Sequence, residues 1–276
     1  MREIYGTLVG RWYVTLLGLV YLYCAVRHLG WRRTLIYTLP AVAVGALFEN
    51  GSVHFGLPYT HYTFDSSLRG KELFVGDVPL MVPLSYTFMG YFAFVAGRIV
   101  ASGPWRTRAR AWWQEYLLGV ILMVWAVWIF DPVSRLGDRW FLGRVFHYGG
   151  PGFWFGLPLG SQLGFTLTAV LLVGGLTWLA RDDADQPVAK FRQHPHAIAL
   201  LTYHGQIAWL AIVAVVLGET ELGGSALLIW VPAAAVTAIL WSALRPPVVP
   251  AVPAVAPYFK SADAGTLDDA EEPAPA

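Results

Sequence analysis

About seven stretches of this chain run long enough without charge to cross roughly 30 Å of hydrocarbon, which takes about 20 residues in a helix. They lie near Trp12–Val26, Thr34–Val53, Val78–Val100, Trp113–Phe130, Gly156–Ala180, Ala197–Leu217 and Gly223–Leu244. Inside a bilayer no water is available to the backbone, so an apolar run of this length must satisfy its own N–H and C=O groups as a helix. The composition agrees: 56% of the 276 residues are hydrophobic and 13% charged, too apolar for the surface of a soluble domain. The expected fold is all-α, a polytopic transmembrane bundle of about seven helices spanning residues 1–244 as one domain. From residue 245 to 276 the chain turns to Pro, Ala and acidic residues, a composition that cannot bury a core and is expected to form a disordered tail. The N-terminal stretch has no basic region, short apolar stretch and small-residue cleavage site in order, so its first apolar run is expected to be retained as a helix.

The formal net charge of +1 provides no basic stripe for phosphates, so a nucleic-acid partner is not expected. Cys24 is the one cysteine, which excludes an intrachain disulfide and reads as a small buried hydrophobe. Sorting the basic residues by loop puts Arg27, Arg32, Arg33, Arg98, Arg106, Arg108, Arg110, Arg181, Lys190, Arg192, Arg245 and Lys260 on one side. Arg2, Arg11, Arg69, Lys71, Arg135, Arg139 and Arg144 fall on the other. The excess marks the first side as cytoplasmic, with the N-terminus outside, the C-terminus inside, and the cell's inner (plasma) membrane as the expected location.

Whichever way the chain is inserted, the loops after the second and fourth helices open at the same face. They are the chemically rich loops: one carries Glu49, Asn50, His54, Tyr59, His61, Tyr62, Asp65 and Asp77, the other Asp131, Asp138, His147 and Tyr148. Ionisable residues that enter the bilayer are thus expected to gather towards one end of the bundle. If the second helix starts just after Arg33, about 20 residues carry it to Val53 and leave Glu49 and Asn50 at membrane depth. A carboxyl group is costly there when ionised, so Glu49 is expected either to face the bundle interior or to snorkel to the interface. Asp131, followed by Pro132, also reads as an N-cap with proline at the first helical position.

Other patterns lead away from metals and bound chromophores. His54 and His61 do not have the spacing of a helical ligand pair, and His28, His147, His194, His196 and His204 are scattered. The run Arg181-Asp182-Asp183-Ala184-Asp185 reads as a solvated loop, and Lys71, Lys190 and Lys260 fall outside the apolar runs, where no Schiff base could reach the bundle. Most of the tryptophans read as interface belts, whereas Tyr86, Trp128 and Trp154 lie near the polar face and could offer π faces to a cation.

The stretch from Glu49 to Tyr91, ENGSVHFGLPYTHYTFDSSLRGKELFVGDVPLMVPLSYTFMGY, resembles the carotenoid hydratase family of integral membrane proteins, which add water to the ends of acyclic carotenoids. The shared features are a Glu closing a helix, a Gly-x-Pro-Tyr-x-His-Tyr-like segment, and a Val-Pro-Leu leading into an apolar helix with Met-Gly-Tyr. Asp131-Pro132 and the Tyr148-to-Gly164 stretch, with Phe-Gly-Leu-Pro-Leu, are further landmarks, so the likeness covers about half the chain.

The resemblance implies a polyene or isoprenoid substrate drawn from the bilayer, no cofactor and no metal. It implies Glu49 or Asp131 as a neutral proton donor, the other carboxylate steadying the cation or taking a proton from water, with His54, His61 and Tyr62 ordering that water. Asp77 joins this acid–base set. Asn50, Tyr59, Tyr86, Trp128, Tyr148, Trp154, Ser161 and Gln162 are the expected substrate-lining residues. Two departures stand out: Tyr86 occupies a position where Trp is expected, and Ser161 one where Asn is expected. They leave open a sister activity, a membrane terpenoid cyclase that quenches the same cation internally. A transporter or receptor, which also combines about seven helices with a polar cluster, is the non-enzymatic alternative.

Overall fold

A computed structural model describes residues 1–101, 112–150, 152–181 and 194–243. The Pro/Ala/acidic segment 245–276, Arg106, Arg108, Arg110, Lys190, Arg192 and the Asp182–Asp185 run lie outside the described residues. The apolar runs form helices as their composition requires. After a short α1 (Arg2–Tyr5) and one π-helical turn (Gly6–Gly10) come α2 (Trp12–Phe55), α3 (Met81–Ala101), α4 (Trp112–Arg135), α5 (Leu159–Leu179), α6 (His194–Val216) and α7 (Thr220–Ala243). Six of these helices are long and apolar enough to cross a membrane.

At about 1.5 Å per residue a straight helix as long as α2 would be roughly twice the thickness of the hydrocarbon. It is not straight. Gly30, at φ 79° and ψ 160°, leaves helical geometry for a region of backbone space essentially reserved for glycine. The two arms, residues 12–29 and 31–55, fold back on each other, since the Tyr21 hydroxyl lies 2.6 Å from Thr38 Oγ1. On a continuous helix that pair would be about 25 Å apart. The two arms correspond to the first two predicted spans, so with the arms counted separately the described helices offer seven candidate passes.

Helix α3 is the axis of the bundle: Tyr86, Thr87, Phe88, Gly90 through Ile99 and Ala101 are all buried. It approaches α4 closely through glycines, for a Cβ on Gly97 would stand 2.6 Å from the Gly119 nitrogen. Leucines and isoleucines such as Leu19, Leu39, Leu163, Leu201 and Ile212 are exposed, as befits faces bathed in lipid.

At one end the two rich loops meet. Strand β1 (Tyr62–Phe64) pairs antiparallel with β4 (Phe146–Tyr148), placing Tyr62 opposite Tyr148, while β2 (Phe74–Val75) and β3 (Val78–Pro79) form a small hairpin. The convergence expected from counting passes is therefore a hydrogen-bonded one.

The expectation that membrane-embedded ionisable residues gather at one end is corrected. At the opposite end Arg98, 1% exposed, lies 3.4 Å from Glu115 through Nε and 3.2 Å from His28 Nε2 through Nη1. His28 in turn meets Tyr91 at 3.2 Å and the ring of His196 at 4.4 Å. Arg98, sorted with the loop charges although the third apolar run (Val78–Val100) contains it, lies within α3, where the low polarity around it demands partners of its own.

Candidate functional site

Glu49 lies on the second arm of α2 in register with Tyr37, Ala41, Gly45 and Ser52, all buried at helical spacing. That stripe faces the bundle, so the side chain is turned inward and is 4% exposed. The inward-facing alternative of the two expectations holds. Gly45 lets α3 come close, since a Cβ there would stand 2.8 Å from the Tyr86 ring, and this brings the Tyr86 hydroxyl to donate to Glu49 Oε1 at 2.5 Å. The arm stops at Gly56, whose left-handed φ of 72° closes the helix.

Asp131 is not an N-cap. Helix α4 continues through Asp131 and Pro132 to Arg135, so the Asp-Pro pair sits inside the helix and that reading is corrected. Pro132 has no N–H for the Trp128 carbonyl four residues back. The carbonyl is instead met by the indole N–H of Trp154 at 2.9 Å, which lets the helix tolerate the proline.

Glu49 and Asp131 line one cavity of about 130 Å³. Tyr13, Tyr62, Tyr86, Tyr148, Phe64, Phe88, Phe130, Phe146 and Phe165 supply aromatic walls, Met81 and Met89 apolar filling, and Ser85, Ser134, Arg11 and Glu72 further polar groups. A further layer fixes the walls. The Tyr59 hydroxyl lies 2.6 Å from Thr168 Oγ1, and its ring stacks at 4.5 Å on Phe165. The Tyr148 hydroxyl lies 2.8 Å from Ser161 Oγ. Burial pushes the Tyr59 and Tyr148 phenols above their ordinary range, so both remain neutral hydroxyls at physiological pH.

The expected residues divide into three groups. Glu49, Asp131, Tyr62, Tyr86 and Tyr148 line the cavity, and Tyr59 and Ser161 brace that lining. Trp128 and Trp154 pack on each other at 5.3 Å beside it, and Gln162 is buried with no hydrogen-bond partner for its amide among the described residues. His54, His61, Asn50 and Asp77 lie outside the lining. His54 Nε2 is 3.0 Å from Asp77, which also pairs with Arg69. Asn50 donates to the Val75 carbonyl and accepts from the Asp77 N–H, so it anchors the β2–β3 turn to the end of α2. The His61 ring lies against Gly56, close to where a Cβ there would fall.

Arg11 and Glu72 were missed as site residues. They are 7% and 8% exposed, and Arg11 Nε donates to Glu72 Oε1 at 3.0 Å. Burial raises the Glu72 carboxyl from its ordinary value while the Arg11 charge and hydrogen bond pull it back. The one available signal was an arginine abutting the first apolar run; its partner stands 61 residues away. Among the described residues no three His, Cys, Asp or Glu side chains form a group able to hold a metal ion.

No curated protein and no solved structure matches this chain. The profile of the family described as carotenoid biosynthesis protein matches residues 9–236, a range that contains every residue lining the cavity. With most of its length matched, the chain belongs to the carotenoid biosynthesis protein family, as a membrane protein of helices around an aromatic, acid-bearing cavity.

Proposed function

We propose that this protein protonates a terminal double bond of an acyclic carotenoid or related polyene and adds water to the resulting cation. The observation that carries the proposal is that Glu49 and Asp131, from helices far apart in sequence, line one aromatic cavity within the membrane-spanning bundle. An isolated trisubstituted alkene is a weak base, so its protonation needs an acid sheltered from bulk water. One carboxyl group gives its proton to carbon, and the π electrons form the new C–H bond and leave a tertiary cation. The other, ionised, steadies that cation together with the faces of the surrounding Tyr and Phe rings. A lone pair of water then forms the C–O bond, and the oxonium proton returns to a carboxylate. The balance is alkene plus water to alcohol, with no change of oxidation state overall.

The aromatic lining would serve a cyclase equally well, with a second double bond of the substrate in place of water. The product's mass decides between them. Membranes carrying the protein, incubated with an acyclic carotene, are expected to yield a product heavier by one water. Glu49→Gln and Asp131→Asn are expected to lower the rate about a hundredfold or more while the protein still accumulates. A product of unchanged mass assigns cyclisation, and no product from intact protein overturns the enzymatic reading. Unchanged turnover in both variants would remove these carboxyl groups from the chemistry.

A further inference from the structure

In a hydrocarbon-lined cavity the hardest reactant to retain is water, and among the residues lining it Glu72 has a buried carboxyl oxygen with no hydrogen-bond partner among the described residues. Glu72 Oε1 is taken by Arg11 Nε at 3.0 Å, while Arg11 Nη1 is held by the Leu142 carbonyl at 2.8 Å and faces the Tyr13 hydroxyl at 3.3 Å. The backbone around Glu72 is fixed from both sides: its own N–H donates to the Leu68 carbonyl at 3.0 Å, and the Leu73 N–H donates to Thr7 Oγ1 at 2.7 Å. Glu72 Oε2 is buried and has no hydrogen-bond partner among the described residues, although its residue lines the cavity that holds Glu49 and Asp131.

A carboxylate oxygen can only accept, so whatever meets Oε2 must donate a hydrogen. Leaving it unmet beside a cavity is unfavourable. A carotene has no O–H or N–H. The one donor the reaction brings is the water to be added, which becomes the alcohol of the product. We infer that Glu72, positioned by Arg11, holds this water against the cation through Oε2. The inference rests on the hydration proposed above. Water anchored there attacks the cation, forms the C–O bond and passes its extra proton to the carboxylate that donated the first one. If no water is held, the cation loses a neighbouring proton to that same carboxylate and returns an alkene isomer of unchanged mass.

The test is the ratio of hydrated product to unchanged-mass isomers formed by the full-length protein in membranes. Glu72→Gln keeps an acceptor for Arg11 Nε but puts a donor in place of the Oε2 acceptor, and Glu72→Asp withdraws the oxygen by one methylene. Both are expected to lower that ratio about tenfold, because misplacing a reactant slows its step without stopping the protonation before it. The ratio is set by molecules that turn over, so partial loss of folded protein does not imitate the effect. If both variants lose hydrated and isomerised products in proportion, Glu72 is only a structural partner of Arg11 and the inference is overturned. If the wild-type protein forms no hydrated product, the underlying reading fails before any variant is made, and the inference fails with it.

Discussion

The hydroxyl of Tyr86 is the single hydrogen-bond donor that the described structure gives the Glu49 carboxyl, at 2.5 Å. Replacing it with Phe keeps the ring against Gly45 and removes that bond together with the hydroxyl's interaction with Tyr59. Tyr86→Phe is expected to cost about 1 kcal/mol in stability and to slow product formation by roughly tenfold or more. Thermal unfolding in detergent and initial rates in membranes check the two effects, and an unchanged rate would mean that the hydrogen bond only holds the fold. At this scale the sequence was informative where depth decides. Counting residues into the bilayer picked out Glu49 because at that depth a carboxyl has two places to go, the bundle interior or the interface. It misread Asp131, because Asp-Pro looks the same locally whether a helix starts there or passes through. What distinguishes the cases is the Trp154 indole on the Trp128 carbonyl, 26 residues away. The Arg11–Glu72 pair was illegible for a similar reason: each residue alone looks like a loop charge.

Among the elements, α2 depends most on one position. Gly30 turns the chain at φ 79° and ψ 160°, a conformation in which a Cβ is strained whatever space surrounds it. Gly30→Ala is expected to destabilise the hairpin of arms by about 1–3 kcal/mol, visible as a lower thermal midpoint and less protein in the membrane. A variant as stable as the wild type would show that the turn does not need glycine. Trp154→Phe tests the end of α4 in the same way. It strips the Trp128 carbonyl of its donor and is expected to cost about 1–3 kcal/mol while leaving the cavity walls in place. The passes themselves were readable from run length, since hydrocarbon leaves the backbone no alternative to a helix. The loop expected around Arg27 to Arg33 shrinks to a single glycine, because nothing in residue type alone tells a loop from a one-residue break.

Taken whole, the molecule carries buried charge at both ends, with an acid-lined cavity at one and the Arg98–Glu115–His28–His196 cluster at the other. The second escaped notice because Arg98 was counted as a loop residue, although it sits on the most buried helix. The first was foreseeable from parity alone, which brings the loops after the second and fourth passes together. From the positive-inside bias that end is expected on the outer side of the membrane. In a Cys24→Ser background, a single cysteine at Ser67 is therefore expected to react with an impermeant thiol reagent from outside. Labelling only after the inner face is opened would reverse the orientation while leaving the two loops on a common side.

The proposed reaction is the addition of water to a polyene in an acidic, aromatic cavity inside the bilayer. The measurement that tests it most directly is mass spectrometry of the product formed from an acyclic carotene by membranes suspended in ¹⁸O-labelled water. The expected product is a tertiary alcohol whose oxygen is the heavy isotope, absent from the Glu49→Gln and Asp131→Asn variants. A carotene recovered without oxygen, as an isomer or untouched by intact protein, would contradict it.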